Sequence, residues 1–367
     1  MYKIAIAGAS TLLGKELKDA LSDSPLAASH FTLFDEEEAQ GQLDQVGDEV
    51  TFVQTIAADS FEHVDFTFFC GSEEMTRKHW RAALRAGSTV LDLSGALDQE
   101  AGVLVRSPWL GSQAVTPDLF TPAVVPAHPA AIALALLMER LELAAKVRSA
   151  TATVLLPASE FGRAAMDELH QQTVTLLSFQ NLPREVYDAQ VAYNLLSSLG
   201  ESATISLRAV EARIRRHYAA LLLGIHAPLS LQGIHAPVFH GHAFSIALEL
   251  EHPVEIAQLE ETMSGEHLDL VLEDTDSPSN LAATGQNDVL VLIRTEKDSA
   301  GKVSRLWVWA ASDNLRLYAQ NAVDCALDLR RLASGNSAVG TEKSKTRKRD
   351  KVKLLHLAPF CFRIYRF

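Results

Sequence analysis

Cysteine is scarce in this chain of 367 residues, which contains Cys70, Cys325 and Cys361 and no other cysteine. Three cysteines so far apart cannot form the disulfide framework that is typical of small secreted proteins. The first residues carry one lysine and then a strand pattern, so they do not resemble a signal peptide. We therefore expect a reducing, cytoplasmic setting.

The chain also lacks a long apolar run and an excess of positive charge. The longest apolar stretch, residues 130–138, is too short to cross a bilayer. Lysine and arginine number 33 against 46 acidic residues, which gives a formal net charge of −13. This balance argues against nucleic acid or a membrane as a partner. Apolar residues make up 47%, enough for buried cores, and the length predicts two domains.

One glycine is missing from an otherwise characteristic motif at the N-terminus. The apolar run Ile4–Ala7 predicts a buried strand, Gly8 a turn, and the pattern from Leu12 through Gly14 the start of a helix. This order is typical of dinucleotide-binding folds, in which a pyrophosphate approaches the turn and the helix N-terminus. Position 11 is Thr11 instead of glycine, and its β-branched side chain narrows the approach and adds a hydroxyl. The alternative is a strand–turn–helix unit that binds no dinucleotide.

Strands and helices alternate through the first third of the chain, which predicts an α/β class with a mostly parallel sheet. The predicted strands are Lys3–Ala7, Phe31–Phe34, Asp65–Phe69, Thr89–Leu93 and Ala123–Val125. Later segments predict a second sheet with helices. The strands there are Ser149–Leu156, Ala236–Glu251, Val289–Arg294 and Arg305–Ala310, and the helices are Ala130–Ala145, Gly162–Leu177, Val210–Leu222 and Leu315–Leu332.

Six segments carry a family resemblance, and they occur in the family's order. They are Ile6–Gly14, Val90–Gly95, Pro157–Gly162, Val191–Leu195, Pro237–His242 and Ser312–Arg316. Together they resemble the aspartate-semialdehyde dehydrogenase family, and most of all its divergent USG-1-like branch, over residues 2–335.

The resemblance implies a Rossmann-type NAD(P)-binding domain over 1–129, completed by a closing helix at 315–335. It also implies an α+β dimerisation domain of the semialdehyde dehydrogenase type over 130–314, and hence a homodimer. A heterodimer with an active relative is the alternative. The remaining 336–367 form a basic and then apolar tail, for which we expect disorder, with a surface or partner anchor as the alternative.

Active members of this family reduce an acyl phosphate or run the reverse reaction. A cysteine forms a thioester with the substrate, and NADPH delivers hydride. A histidine acts as acid and base, and two arginines hold the substrate carboxylate and the phosphate. A thiolate suits this chemistry because it is a strong nucleophile and a good leaving group.

The resemblance places His128 at the position of the catalytic cysteine, or Pro129 if the match is shifted by one residue. Neither residue is a thiol. His235 falls at the substrate arginine, and Asp98 falls at the phosphate arginine, where its charge opposes phosphate. A glutamine that positions the thioester falls on Leu156.

Of the family's catalytic positions, His242 alone keeps its identity. Because the groups of such a site act as a unit, we expect that thioester chemistry is lost. The leading interpretation is a pseudoenzyme kept as a nucleotide-sensing or partner-binding dimer.

The cofactor prediction depends on Asp35, which ends the second strand 21 residues beyond Gly14. An acid there holds a ribose hydroxyl and disfavours a 2′-phosphate, and residues 36–38 are glutamates that add to the repulsion. NAD is therefore favoured over NADP, and a chain that binds neither is the alternative. Asn314 matches a family residue near the nicotinamide, or it caps the last helix. The full set of cofactor-binding candidates is Gly8, Ser10, Thr11, Leu12, Leu13, Gly14, Asp35, Gly71, Ser94, Gly95 and Asn314.

Four histidines converge if the family fold holds: His128, His235, His240 and His242. On a strand, His240 and His242 share a face because they are two residues apart. They are the candidates for a metal site, although the leading interpretation has no metal and takes the histidines as vestigial. A further alternative is an active NAD(P)-dependent oxidoreductase on an aldehyde or acyl substrate, with His242 and His128 as acid–base groups.

Overall fold

The computed structural model describes residues 1–36, 39–57, 59–111, 117, 121–178, 181–222, 229–271 and 277–329. Glu37, Glu38, Cys361 and the predicted tail at 336–367 lie outside these ranges. The described residues form two sheets, each with its own helices, as the sequence predicts. None of the described helices is long and apolar enough to span a bilayer.

The first sheet has eight strands in the order β3-β4-β2-β1-β5-β6-β8-β7. The strands are β1 Lys3–Ala7, β2 His30–Phe34, β3 Leu43–Val46, β4 Glu49–Gln54, β5 Phe66–Phe69, β6 Thr89–Asp92, β7 Leu104–Arg106 and β8 Val124–Pro126. All described pairings are parallel except that of β3 with β4. Helices α1 (Leu12–Ser22) and α2 (Glu73–Arg85) connect strands of this sheet.

The hairpin β3–β4 and strand β7 were not predicted. β7 has three residues, too few for a periodic signal. In the hairpin, Leu43, Val50 and Phe52 are apolar yet more than half exposed. The usual alternation of buried apolar and exposed polar residues is therefore absent.

The second sheet has six strands in the order β10-β9-β11-β14-β13-β12. They are β9 Val147–Leu156, β10 Leu229–His235, β11 His242–Val254, β12 Leu268–Leu270, β13 Val289–Lys297 and β14 Val303–Ser312. The helices of this part are α3 Pro129–Ala144, α4 Arg163–Leu177, α5 Leu207–Leu222, α6 Ile256–Met263 and α7 Asn280–Ala283. Helix α3 is buried nearly all round because it packs on β9, α5 and α6 at once.

The predicted strand Ala236–Glu251 is wrong in its first part. Strand β10 ends at His235, and β11 begins only at His242. Pro237 has no N–H for a sheet ladder, and Gly241 has φ +85°, so the chain turns between them.

The last helix, α8, covers residues 314–329 of the described chain and returns to the first sheet. Tyr318, Ala322 and Val323 pack in the same core as β1, β2 and α1. At the far end of α8, Asp328 pairs with Arg106 of β7. The beginning of α8 therefore lies where the two sheets meet.

The turn after β1 is held by close backbone packing at two glycines. A Cβ on Gly8, which has φ +92°, would lie 2.2 Å from the Gly71 nitrogen at the end of β5. A Cβ on Gly14 would lie 2.2 Å from the Gly8 oxygen. These positions accept only glycine, because a side chain would separate α1 and β5 from the turn.

Alanine at Gly14 should therefore destabilise the protein, although alanine ordinarily stabilises a helix over glycine by about 1 kcal/mol. We expect Gly14→Ala to lower the free energy of unfolding in urea by about 2 kcal/mol or more, through overpacking. The matched control is Gly111→Ala, where the new Cβ would have its nearest contact at 3.8 Å. Equal unfolding free energies for the two variants would contradict this account of the turn.

Candidate functional site

A cavity of about 390 Å³ lies between the two sheets, at the carboxyl end of β1 and β5. The first residues or caps of five helices line it, and these are Leu12 of α1, Ser72 of α2, Pro129 of α3, Arg163 of α4 and Asn314 of α8. Helix N-termini present free N–H groups and partial positive charge. The cavity is therefore suited to an anionic ligand.

Thr11 caps α1 and does not project freely into this cavity. Its hydroxyl accepts a hydrogen bond from the Gly14 nitrogen at 2.9 Å and donates to the Gly8 oxygen at 2.8 Å. The Cys70 oxygen lies 3.0 Å away. The hydroxyl that replaces the expected glycine thus fixes the turn, and Leu12 and Leu13 line the cavity beside it.

Asp35 directly follows β2, which ends at Phe34, and it is 8% exposed. One carboxylate oxygen accepts hydrogen bonds from the nitrogen and the hydroxyl of Ser10, both at 2.6 Å. The other accepts from the Glu36 nitrogen at 2.9 Å. Ser10 and Asp35, which are both predicted to bind the cofactor, are therefore hydrogen-bonded to each other. A second cavity, of about 360 Å³, begins beside Asp35 and Glu36.

The position predicted for the missing cysteine is occupied by the His128 imidazole. His128 caps α3, and its Nδ1 accepts a hydrogen bond from the Ala130 nitrogen at 3.2 Å. In a neutral imidazole the proton is then on Nε2. This Nε2 lies 2.7 Å from Oε1 of Glu160 and donates to it.

Glu160 also binds His242. Nε2 of His242, the first residue of β11, lies 2.9 Å from Oε2 of Glu160. The two imidazole rings are 5.9 Å apart between centroids and nearly parallel. One carboxylate thus joins the start of α3 to the start of β11.

This unit of His128, Glu160 and His242 is almost completely buried. His128 is 1% exposed and His242 is 0% exposed. Burial alone would raise the pKa of Glu160, but electrostatic attraction and hydrogen bonds from the two histidines outweigh it and hold that pKa below its ordinary value. Burial lowers the pKa of His128, which keeps its imidazole neutral. The site therefore holds an ionised carboxylate that accepts two imidazole N–H groups.

The negative charge of Asp98 is paired within the protein. Its carboxylate lies 3.0 Å from Nε of Arg213 and 3.5 Å from Arg216, both on α5. Burial raises the pKa of Asp98, but His217 and the two arginines outweigh burial and lower it to about 2. The negative charge is therefore matched by cations of α5.

Helix α5 also fixes the start of α3. Nδ1 of His217 accepts a hydrogen bond from the His128 nitrogen at 2.9 Å, and its Nε2 lies 3.1 Å from Asp98. Burial lowers the pKa of His217 to about 4, with partial opposition from Asp98. A neutral His217 thus connects Asp98 to the backbone of His128.

Arg213 is the cation that reaches the cavity from α5. Its Nη2 donates to the Tyr318 hydroxyl at 3.0 Å, and the guanidinium lies against Gly95, where a Cβ would be 2.8 Å from Cζ. Arg213, Glu160 and Ser94 line both the first cavity and a neighbouring cavity of about 610 Å³. Gly95 lines the neighbouring cavity and not the first one. Because Gly95 has no side chain, the guanidinium of Arg213 can lie against it.

Asn314 begins α8 at the cavity wall. Its carbonyl oxygen accepts hydrogen bonds from the Gly241 nitrogen at 3.0 Å and from the Ser159 hydroxyl at 3.2 Å. These bonds orient the side chain and leave its NH₂ group for a ligand. Of the other cofactor candidates, Gly71 lines the cavity, whereas Gly8 and Gly14 lie behind it in the turn.

His235 and His240 do not join the histidine–carboxylate unit. The His235 ring lies 4.8 Å from that of Tyr187 and 6.0 Å from that of Phe161, and neither of its nitrogens bonds to a described polar group. His240 precedes β11 and does not share a strand face with His242, so that prediction is wrong. Within the described ranges, no three or more histidine, cysteine or acidic side chains are placed to hold a metal ion.

The described thiols are not placed for nucleophilic attack. Cys70 lines the cavity, but its Sγ is buried 3.4 Å from the Ala7 oxygen. Burial raises the pKa of both Cys70 and Cys325. Each is therefore held as a neutral thiol.

Sequence reasoning missed Glu160, Arg213 and His217. Glu160 is the sole ionisable residue of the family-like segment Pro157–Gly162, which is a signal that could have identified it. Arg213 is one of several arginines on a helix with an ordinary amphipathic pattern. No local feature distinguishes it.

Comparison with known proteins identifies the class. The family model described as the semialdehyde dehydrogenase NAD binding domain matches residues 3–131, and the model of the semialdehyde dehydrogenase dimerisation domain matches residues 138–317. The chain therefore belongs to the semialdehyde dehydrogenase family. The predicted family and its pairing of a nucleotide-binding with a dimerisation domain are confirmed.

Individual relatives agree with the predicted branch. A USG-1 protein homolog of Pseudomonas aeruginosa is 30% identical over 319 residues, which cover 85% of this chain and 93% of the relative. An aspartate-semialdehyde dehydrogenase of Rickettsia bellii is 23% identical over 89% of this chain and 97% of the relative. Among solved structures, a probable aspartate-semialdehyde dehydrogenase from Pseudomonas aeruginosa has a TM-score of 0.79 at 27% identity, covering 88% and 97%. The structure of aspartate semialdehyde dehydrogenase II from Vibrio cholerae, complexed with ASA, has a TM-score of 0.81 at 21% identity. The match covers 90% of this chain and 98% of the other.

The buried His235 should make stability depend on pH. Burial lowers its pKa to about 4 in the folded protein, whereas an unfolded histidine titrates near 6.5. Between these values the unfolded chain binds a proton that the folded chain does not, so stability is lost as the pH falls from about 6.5 to about 4. We expect His235→Leu to reduce this loss, measured by urea unfolding at several pH values.

The control is His252→Leu, at an exposed position of β11. It should leave the pH profile as in the wild type. A His235→Leu profile identical to that of the wild type would contradict the assignment of this pH dependence to His235.

Proposed function

We propose that this chain is a dinucleotide-binding, dimer-forming semialdehyde dehydrogenase homologue that has lost thioester-type aldehyde dehydrogenase activity. The single observation that carries the proposal is the position of Glu160, which accepts a hydrogen bond from Nε2 of both His128 and His242. The Nε2 nitrogen of each imidazole is thus occupied by the same carboxylate.

The chemistry of the family supports this interpretation. By resemblance, thioester formation needs a thiolate at the start of α3 and an imidazole able to exchange a proton with it. Here the first is replaced by the neutral His128, and the retained His242 is bound to a carboxylate. Loss of one group from a catalytic site whose groups act together removes most of the rate. Here both the thiolate and the imidazole are affected.

The residues around the turn after β1 fit a dinucleotide. Gly71, Leu12 and Leu13 line the cavity, and Leu12 and Leu13 offer N–H groups at the start of α1. Asn314 has its NH₂ group available at the cavity. A bound dinucleotide would supply a hydride donor or acceptor. Asp35 and Glu36 support NAD over NADP, whereas one structure of the same fold, from Candida albicans, contains NADP.

The domain limits that we propose are 1–129 with the closing helix 315–335, and 130–314. The packing of α8 on the first sheet supports this division. The setting that we propose is the cytoplasm, because the described cysteines are free and buried. The partner that we propose is a second copy of the chain.

An exposed sheet face supports the dimer. The helices α3, α5 and α6 cover one face of the second sheet. On the opposite face, Thr151, Ala247 and Trp307 are neighbours across β9, β11 and β14, and Trp307 is 53% exposed. A large aromatic among small side chains is typical of the centre of an interface.

A second candidate is an oxidoreductase that forms no covalent intermediate. It is favoured by one observation: Glu160 and His128 line the same cavity as Arg213 and Asn314. Such an enzyme would move a proton through the His128–Glu160 pair. Its activity would survive thiol alkylation.

The purified protein should not oxidise aspartate semialdehyde in the presence of phosphate with either NAD or NADP. We expect turnover at least roughly a thousandfold below that of the Vibrio cholerae enzyme, assayed in parallel as the positive control. Titration with NADH in the same preparation should give saturable binding, because the turn and Asn314 are intact.

Comparable turnover that iodoacetamide abolishes would sink the proposal. Turnover that resists iodoacetamide but is lost in His242→Ala would support the second candidate instead.

Charge on the exposed sheet face should prevent self-association. Trp307→Glu is expected to weaken the homodimer by roughly 30-fold or more, since it buries a charge at the proposed centre. Analytical ultracentrifugation over a concentration series measures this. The control is Phe52→Glu, which changes an aromatic side chain of similar exposure, 58%, on the β3–β4 hairpin. A wild-type chain that is monomeric alone but associates with an active relative would indicate the heterodimer.

A further inference from the structure

We propose that Glu36, and not Asp35, is the residue that selects NAD over NADP in this chain. The inference rests on the dinucleotide binding proposed above and names the side chain that decides between the two cofactors. It departs from the sequence-based expectation, which assigns this role to the acid that ends β2.

The carboxylate of Asp35 is already committed to the protein. Ser10 donates to one oxygen twice, from its nitrogen and its hydroxyl, and the Glu36 nitrogen donates to the other. The residue is 8% exposed. A buried carboxylate with three such donors fixes the loop that follows Gly8. Asp35 is therefore a positioning residue of the turn.

Glu36 is exposed and lies at the mouth of the second cavity. Its Oε1 accepts a hydrogen bond from the Ser72 hydroxyl at 3.4 Å. Ser72 also caps α2, where it accepts from the Met75 nitrogen at 3.1 Å. This places the Glu36 carboxylate beside the start of α2 with oxygen lone pairs left for hydroxyl donors.

The second cavity adjoins the first at Ser72, which lines both. A ligand with a pyrophosphate at α1 would reach the second cavity by passing Ser72. Ile56 and Met75 give that mostly polar cavity one apolar side on which a planar base can lie. Its volume of about 360 Å³ is of the size that a nucleoside half requires.

The charges around the second cavity disfavour a phosphate group there. The acids Asp35, Glu36 and Glu74 line it, against Lys78 as a cation. His79 also lines it, and burial together with Lys78 lowers its pKa, so it adds no positive charge at neutral pH. Of the acids, Glu36 is the one bound to Ser72 at the junction, where a ribose would lie between base and pyrophosphate.

The test is a titration of the wild type and of single variants with NADH and NADPH, followed by nucleotide fluorescence and by calorimetry. Wild type should bind NADH more tightly. Glu36→Gln keeps the shape but removes the charge, so it should improve NADPH binding roughly 10-fold and change NADH binding by less than about threefold. Asp35→Asn should weaken both nucleotides alike and lower the unfolding free energy, which leaves their affinity ratio unchanged. The control is Glu62→Gln, an exposed acid away from both cavities.

The inference would be overturned if the ratio of NADH to NADPH affinity changed in Asp35→Asn but stayed at the wild-type value in Glu36→Gln. A ratio that moves only in a Glu37→Gln/Glu38→Gln double variant would also overturn it. Wild type that prefers NADPH would refute the selectivity but leave dinucleotide binding intact. Absence of binding of either nucleotide would refute the dinucleotide-binding part of the proposed function itself.

Discussion

The arrangement of the site depends on one interaction, the Glu160 carboxylate held between two imidazole N–H groups. A buried charge is costly unless it is fully hydrogen-bonded, so the positions of His128 and His242 follow from it. His128 caps α3, and His242 is the first residue of β11. The same hydrogen bonds therefore hold the start of this helix and the start of this strand together. A thiolate at the start of α3 would place a second negative charge beside this carboxylate. An ionised Glu160 is therefore consistent with the proposed loss of thioester chemistry.

The walls of the cavity provide positive potential that suits an anionic ligand. Positive potential comes from the first residues of five helices and from Arg213. The carboxylate of Asp98 is matched by Arg213 and Arg216 of α5. Fixed backbone dipoles do not depend on any single side chain. A site of this kind can attract an anionic cofactor whether or not covalent chemistry takes place in it.

Elements with strong periodicity were predictable, and irregular ones were not. The strands at Lys3–Ala7 and Thr89–Leu93 appear close to their predicted limits, because buried runs in a parallel sheet are continuously apolar. The hairpin β3–β4 was missed because its apolar side chains are exposed. The strand predicted from Ala236 was wrong because Pro237 and Gly241 impose a turn inside an otherwise β-like segment.

The sequence by itself determined the family, the strand–turn–helix unit at the N-terminus and the absence of a cysteine at the start of α3. These are properties of short segments, and adjacent residues suffice to define them. Only the tertiary structure decided that Glu160 binds histidines 32 and 82 positions away, and that Asp98 pairs with an arginine 115 positions away. The physical reason is that hydrophobic periodicity specifies which face of an element is buried. Which polar groups meet at the ends of those elements follows from how the two sheets pack together.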